Sequence, residues 1–409
     1  MILISNPKPS ALGLLPLLVN HLKLPATCQV YASPPTVSLG RLALREWASH
    51  LCLELDPGIS SSTVRTMPEQ VAQASVQAGW KFNPPQLNKA LSRLIPIRFS
   101  SPLLLSGRNA PLTLIANRAG HTLGGTIWTL RTPTNEEITY APAWNHVKER
   151  TLDGATNLVT PAQGSSSTSN KLRQKGLLLM NSERSKFIAP KTVTKYKAFL
   201  ENVTATLKSN HSVLIPCDAS ARLVEFLVLL DQHWSFTGLG ADYPLCFISK
   251  TAEDLKLALK NIHEFFGSNM TQPTTPVEEP VFVCNNVKFF PSIEAFNKTY
   301  PPTATSPIPK VILSVPESFS YGFSRVLFTE YATKEGNLII LNGPGEQGSL
   351  ANVLFQRWKV AQNADETWGN AKGRVGKAVH LAGEEIALKV RYHLLVEHEI
   401  SALMLVGFL

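Results

Sequence analysis

The chain has no C-x-x-C pair. Its five cysteines, Cys28, Cys52, Cys217, Cys246 and Cys284, are odd in number, far apart and mostly set in apolar runs. A cysteine zinc knuckle is excluded, and a disulfide framework is not expected; the thiols read as buried and reduced. There is no P-loop, no G-x-S-x-G nucleophile elbow and no zincin pair of histidines four apart around a glutamate. The start, M-I-L-I-S-N-P-K-P-S, has neither the basic residues nor the apolar core of a signal peptide. The last ten residues, I-S-A-L-M-L-V-G-F-L, are apolar but too few to span a bilayer, so no membrane association is expected.

What is present is a globular composition. The 409 residues are 44% hydrophobic and 17% charged. That length points to two domains or to one domain with a large insertion. The net charge of +9 favours acidic partners, nucleic acid among them. Much of the excess lies between Lys171 and Lys197, where eight lysines and arginines face the single acid Glu183. A phosphate-bearing partner and a plain solvated face are both compatible with that run.

Along the chain, strand-like runs alternate with amphipathic stretches. M-I-L-I-S (1–5) reads as a strand. Residues 11–22 read as a helix with Ser10 as its N-cap, 28–32 as a strand and 37–47 as a helix. Residues 112–116, 124–130 and 137–141 read as consecutive antiparallel strands, with P-T-N-E (133–136) as the hairpin turn. G-L-L-L-M (176–180) is a fully apolar strand, and G-S-S-S-T-S-N (164–170) before it reads as a surface loop. From about residue 183 the pattern changes. The runs 212–217, 244–248, 310–314 and 337–341 read as buried strands, with helices over 195–207 and 222–234, which predicts a largely parallel sheet covered on both faces.

Few residues stand out as chemistry. Most of the ten histidines have no second ligand at helical spacing. His393 and His398 read as part of a solvated helix face. Asp218 follows a buried strand and precedes a helix, where α/β sheets place functional groups, yet a helix cap paired with Arg222 is the plainer reading. His121, in A-G-H-T-L-G-G-T-I-W (119–128), has small residues on both sides.

The order of several phrases says more than any one of them. A-G-H-T-L-G-G-T-I-W stands in series with S-N-P-K-P-S-A-L-G-L-L-P (5–16), Y-A-P-A-W-N-H-V-K-E-R-T-L-D-G (140–154) and L-L-L-M-N-S-E-R-S (177–185). V-L-I-P-C-D-A-S-A-R-L-V-E-F-L-V-L-L-D-Q-H-W (213–234), Y-G-F-S-R-V-L-F (321–328) and G-E-Q-G-S-L-A (345–351) follow. From Ile4 to about Leu388 the chain resembles the metallo-β-lactamase/β-CASP family of nucleic-acid nucleases, and within it the non-catalytic branch of the pre-mRNA 3′-end processing machinery. The resemblance implies an α/β protein: a partial metallo-β-lactamase αββα sandwich with an inserted α/β β-CASP domain. It divides the chain into residues 1–183, 184–352 and a C-terminal segment 353–409 that returns in part to the first domain. Relatives carry strands before the turn at 5–13 and a long C-terminal region, so this first domain is expected to expose apolar surface at a sheet edge.

The family's enzymes hold two zinc ions, and a zinc site needs three or four protein ligands. The resemblance puts the ligand positions on Asn6, Lys8, Ser10, Ala11, His121, Ala143 and Asn181, of which His121 alone keeps a ligand. His380, His393 and His398 are not in the family's context for completing the site. The implied protein is a structural subunit of the cleavage and polyadenylation complex that is not an enzyme and takes no cofactor. It acts in the nucleus, paired with the catalytic endonuclease paralogue and with scaffold subunits, and touches pre-mRNA through Lys191, Lys195, Lys197, Arg222 and Arg325. Lys8 suggests an ammonium standing in for the metals. The rivals are a metal-dependent RNA hydrolase and an inactive fragment of such a subunit.

Overall fold

The computed structural model describes residues 1–54, 84–107, 111–155, 176–181, 192–271, 284–302 and 307–364 apart from 220, 344 and 346, together with three short strands at 378–381, 384–387 and 391–394. The loop at 164–170, most of the basic run before residue 192, Lys191 and His398 lie outside the described residues.

The first domain begins with a three-stranded parallel sheet, in the order β1 (Ile2–Leu3), β2 (Val30–Ala32), β3 (Leu94–Pro96). Its helices are α1 (Pro9–Leu12), α2 (Leu15–Asn20), α3 (Pro34–Glu54) and α4 (Pro84–Leu91). They cover one face of that sheet through Leu12, Leu15, Val19, Leu44, Leu87 and Leu91. The other face, through Tyr31, meets a second sheet at Leu114, Ala116 and Trp128. The second sheet runs β4 (Leu103–Leu104), β5 (Thr113–Arg118), β6 (Thr126–Arg131), β7 (Glu137–Ala141), β8 (Gly176–Met180). Side chains alternate across a strand, so Trp128 enters the layer between the sheets while Ile127 packs with Ala119, Ala141 and Ala155 on the opposite face.

Four local readings change. The helix read over 11–22 is two short helices, because Pro16 at the start of α2 has no N–H to continue the first. Ser10 lies inside α1 rather than capping it; Lys8 holds the cap position, with no side-chain cap bond, and Pro9 opens the helix. The helix read over 37–47 extends to Pro34–Glu54. The apolar strand β8 is not buried on both faces: Leu177, Leu178 and Leu179 are about half exposed. Among the described residues β8 is an edge of its sheet, paired in parallel with β7, and no buried cluster takes in these three leucines.

The second domain is a six-stranded parallel sheet ordered β11 (Val287–Phe290), β10 (Leu245–Ile248), β12 (Val311–Ser314), β9 (Val213–Pro216), β13 (Leu338–Leu341), β16 (Arg391–Leu394). Both faces are covered, which is why the four inner strands, β10, β12, β9 and β13, read as apolar runs. Ile215, Phe247, Leu313 and Ile340 face α5 (Thr192–Lys208), α6 (Ala221–Thr237) and α7 (Ala252–Asn261). Leu214, Ile248, Ile312 and Ile339 face α8 (Ile293–Thr299), α9 (Gly322–Tyr331) and α10 (Leu350–Ala364). Burial pushes the thiols of Cys246 and Cys284 up to about 12, as fits inert core cysteines. In the C-terminal segment, the described elements that can be placed lie on the second domain. α10 packs Leu350, Ala351 and Leu354 on the second core, and β16 pairs with β13, which places His393 on a strand rather than a helix. The remaining strands, β14 (Ala378–Leu381) and β15 (Glu384–Ala387), form an antiparallel pair. No helix among the described residues is long and apolar enough to cross a membrane.

The two domains share one core. Leu39 and Leu42 of α3, with Leu123 and Leu152 of the first domain, are buried in the cluster built by α5, α6 and α7.

Candidate functional site at the domain junction

The turn at 5–13 lies beside the carboxyl end of β9 in the second domain's sheet. The Ser5 carbonyl accepts the Thr126 N–H at 2.7 Å, which ties the turn to β6. Asn6 turns its side-chain oxygen back to accept the Lys8 N–H at 3.0 Å. The Lys8 ammonium reaches across the junction to the Asp218 carboxylate, just beyond β9, at 3.9 Å. Asp218 therefore serves the junction, and Arg222, four residues on, pairs elsewhere. The Lys8 and Asp218 side chains are only partly exposed, 23% and 17%. Lys8→Ala is expected to lower stability by about 1 kcal/mol, the upper end for a partly solvated pair. A urea titration repeated at high salt, where the difference from the parent should shrink, checks this.

His121 sits in a tight loop between β5 and β6 and is 5% exposed. Two glycines make that loop. Gly120 has φ +68°, and a Cβ there would stand 2.4 Å from the Asn145 carbonyl oxygen. Gly124 has φ +88°, against the Thr36 backbone. Its carbonyl accepts three hydroxyls, from Ser33 at 2.7 Å, Thr36 at 2.8 Å and Thr126 at 2.9 Å. The small residues around His121 are thus explained by backbone approach. Of the other aligned positions, Ser10 is exposed, Ala11 and Ala143 offer no side-chain donor, and Asn181 is exposed just past β8. Among the described residues, no three His, Cys, Asp or Glu side chains gather in a way that could hold a metal ion.

Buried charge is concentrated on the seam between the domains instead. The loop at 145–155 carries Glu149, which pairs with Arg222 of α6 through both guanidinium nitrogens, one of them at 3.3 Å. Asn145 adds a bond to Glu149 at 3.0 Å. Glu225, one turn further along α6, accepts the N–H groups of Arg150 and Thr151, each at 3.0 Å, and the hydroxyls of Thr151 and Tyr196. The same loop is held from the α7 side, where Asp153 accepts the Ser268 N–H and hydroxyl at 2.9 Å. On the opposite side of the junction, Glu46 of α3 accepts from His50, Ser249, Lys250 and Thr251.

This geometry removes two of the RNA candidates. Arg222 is 4% exposed and spent on Glu149. Arg325 is equally buried and donates to the Ser320 carbonyl at 2.9 Å, where it braces the start of α9. Lys195 is half-buried and engaged within the chain. Lys197 is exposed, loosely paired with Glu201 at 3.8 Å. The glutamates Glu46, Glu149 and Glu225 are the residues that sequence reasoning passed over. A glutamate inside an otherwise apolar helical run, as Glu225 is within R-L-V-E-F-L-V-L-L, was the available signal.

Gly343, Gly345 and Gly348, between β13 and α10, have the spacing of a dinucleotide-binding turn. Amides at the start of α10 are already taken: Ala351 donates to the Ser318 carbonyl at 3.2 Å and Asn352 to the Ser349 hydroxyl at 3.2 Å. The phrase L-L-D-Q-H-W is likewise structural. Trp234 is buried and donates to the Tyr243 carbonyl at 2.7 Å, while Asp231 accepts the Asn286 N–H at 2.8 Å ahead of β11.

Comparison with known proteins agrees with this architecture. Residues 1–178 match the metallo-beta-lactamase superfamily domain, and residues 223–354 match the Beta-Casp domain. Cleavage factor two protein 2 of Schizosaccharomyces pombe is 28% identical over 335 residues, 81% of this chain and 37% of its own length. Cleavage and polyadenylation specificity factor subunit 2 of Arabidopsis thaliana is 28% identical over 393 residues, 94% of this chain and 45% of its own. The probable subunit 2 of Drosophila melanogaster is 25% identical over 358 residues, 87% and 42%. The chain spans less than half the length of each of these relatives. It is a metallo-β-lactamase superfamily domain joined to a Beta-Casp domain, and it resembles cleavage and polyadenylation specificity factor subunit 2 over most of its own length.

Proposed function

We propose that the protein is a non-catalytic subunit of the nuclear machinery that cleaves and polyadenylates pre-mRNA, a nuclease fold kept as a structural partner of the catalytic endonuclease and its scaffold. The observation that carries this reading is the Lys8 ammonium beside Asp218 at the place where the family's metals would sit. A cation held there by a carboxylate opposes zinc, and the aligned positions offer one imidazole where zinc needs three or four ligands. The residues present do not fit a zinc pair. The similarity to subunit 2 proteins over more than four fifths of the chain supports the role in 3′-end processing.

The test is elemental analysis of the purified chain beside a circular dichroism spectrum. A folded protein with well under one zinc per chain is the expected result. One or two firmly bound zinc ions would restore the hydrolase reading around His121. Co-elution with the catalytic endonuclease on size exclusion is the expected companion result for the structural role, and separate elution counts against it.

A further inference from the structure

A second surface lies on α5 and α6. The two helices leave a groove of about 790 Å³ between them. Leu200, Ala205 and Leu229 line its floor, and Phe236 stands at the α6 end with 91% of its surface in water. The Tyr196 hydroxyl is bound to Glu225, so that residue offers the groove its ring. The charged residues of the lining are Arg150, Lys197 and Lys208 against Glu201 alone. Lys197 and Glu201 are 73% and 65% exposed at 3.8 Å, a pairing easily exchanged for a stronger one.

A lone exposed phenylalanine is ordinary, but Phe236 continues the apolar strip of Leu200, Ala205 and Leu229, and it is the contiguous strip that points to a contact surface. Its neighbours decide the chemistry. The polar side chains of the lining bond within the chain, Thr204 with His233 at 3.2 Å and Gln232 with Arg150 at 2.6 Å, and the leucine and alanine floor matches an aliphatic stripe better than a base edge. The excess positive rim selects acidic flanks around that stripe. α5, at 17 residues, is about 25 Å long, room for a helix of about 12–16 residues lying alongside.

We propose that the α5–α6 groove binds an acidic amphipathic helix of a partner protein, with its apolar residues at i, i+3/i+4 and i+7 over Leu200, Leu229 and Phe236 and its carboxylates at Lys197, Lys208 and Arg150. The surface is separate from the reading above, since none of the positions aligned with metal ligands lines it.

The experiment is display selection of random 16-residue peptides on the whole protein, followed by anisotropy titration of the recovered peptides. Phe236→Ser and Lys208→Glu, both changes at exposed side chains, serve as comparison proteins once their melting matches the parent. The expected result is a pool of net acidic peptides with apolar residues three or four apart. Their binding is expected to weaken about tenfold in Phe236→Ser, and by about three- to tenfold in Lys208→Glu. A pool without net negative charge, or peptides that bind both variants as tightly as the parent, overturns the proposal. So does a labelled 20-nucleotide oligouridylate that competes with the peptides and is weakened more by the same changes, which would assign the groove to single-stranded nucleic acid.

Discussion

Replacing Glu46 with alanine is expected to lower the unfolding free energy by about 3–5 kcal/mol, the range for breaking a buried charged network by removing one partner. Glu46 is 1% exposed. One carboxylate oxygen accepts His50 Nε2 at 2.9 Å and the Lys250 N–H at 3.2 Å, and the other accepts the Ser249 hydroxyl and the Thr251 N–H, both at 3.0 Å. Truncation strands donors of both domains at once. Burial pushes the carboxyl up, yet the bond and charge of His50 and the donors of Lys250 and Ser249 outweigh it and hold the group below its ordinary 4.5. A folded-state value below the unfolded one means that the stabilisation is complete above about pH 4.5 and is lost as pH falls through the lower folded value. Urea titrations at neutral pH and down the acid limb check both parts. A Glu46→Ala protein within about 1 kcal/mol of the parent would show that the junction does not depend on this network.

The second large effect belongs to Arg222. Arg222→Met is expected to cost about 3–5 kcal/mol by leaving Glu149 buried without its charge partner. Arg222 and Glu149 side chains are 5% and 9% exposed. The double variant Arg222→Met, Glu149→Leu is expected to recover about 2 kcal/mol or more of that loss, since an apolar pair of similar volume leaves no uncompensated charge. The four proteins of this cycle are compared by denaturant unfolding, with hydrogen exchange at residues 145–155 as a second reading. If the double variant loses the sum of the two single losses, the pair does not couple and the loop is held by the bonds of Glu225 and Asp153. An exposed RNA-contacting arginine would instead lose RNA affinity with stability unchanged within about 0.5 kcal/mol.

Much of the fold was legible because burial leaves a periodic trace. Residues 213–216, 245–248, 311–314 and 338–341 are strands of a parallel sheet covered on both faces, and such strands read as unbroken apolar runs. The antiparallel strands at 113–118, 126–131 and 137–141 alternate in side-chain direction and were equally plain, with Asn135 at φ +59° in the turn between the last two. Periodicity failed where, among the described residues, little covers the faces of a strand. β8 is the longest wholly apolar strand of the first domain and lies half in water, because composition records what a strand tolerates and not what packs on it.

The candidate site divides in the same way. From the sequence alone came the order of motifs, and with it two domains, a resemblance to the metallo-β-lactamase/β-CASP family and a list of aligned positions poor in metal ligands. A side chain's identity is local information, and a missing imidazole needs no coordinates. Tertiary structure alone decided which charges are spent and which are offered. Lys8 meets Asp218, Arg222 meets Glu149, and Glu46 meets a hydroxyl 203 positions away in the chain. Two arginines offered as RNA contacts are internal braces, Arg222 on Glu149 and Arg325 on the Ser320 carbonyl, while a leucine-floored groove with a bare phenylalanine opens on the outer helices. Helical and strand periods tell which face of an element turns inward. The packing of one domain on another sets which distant partner waits there.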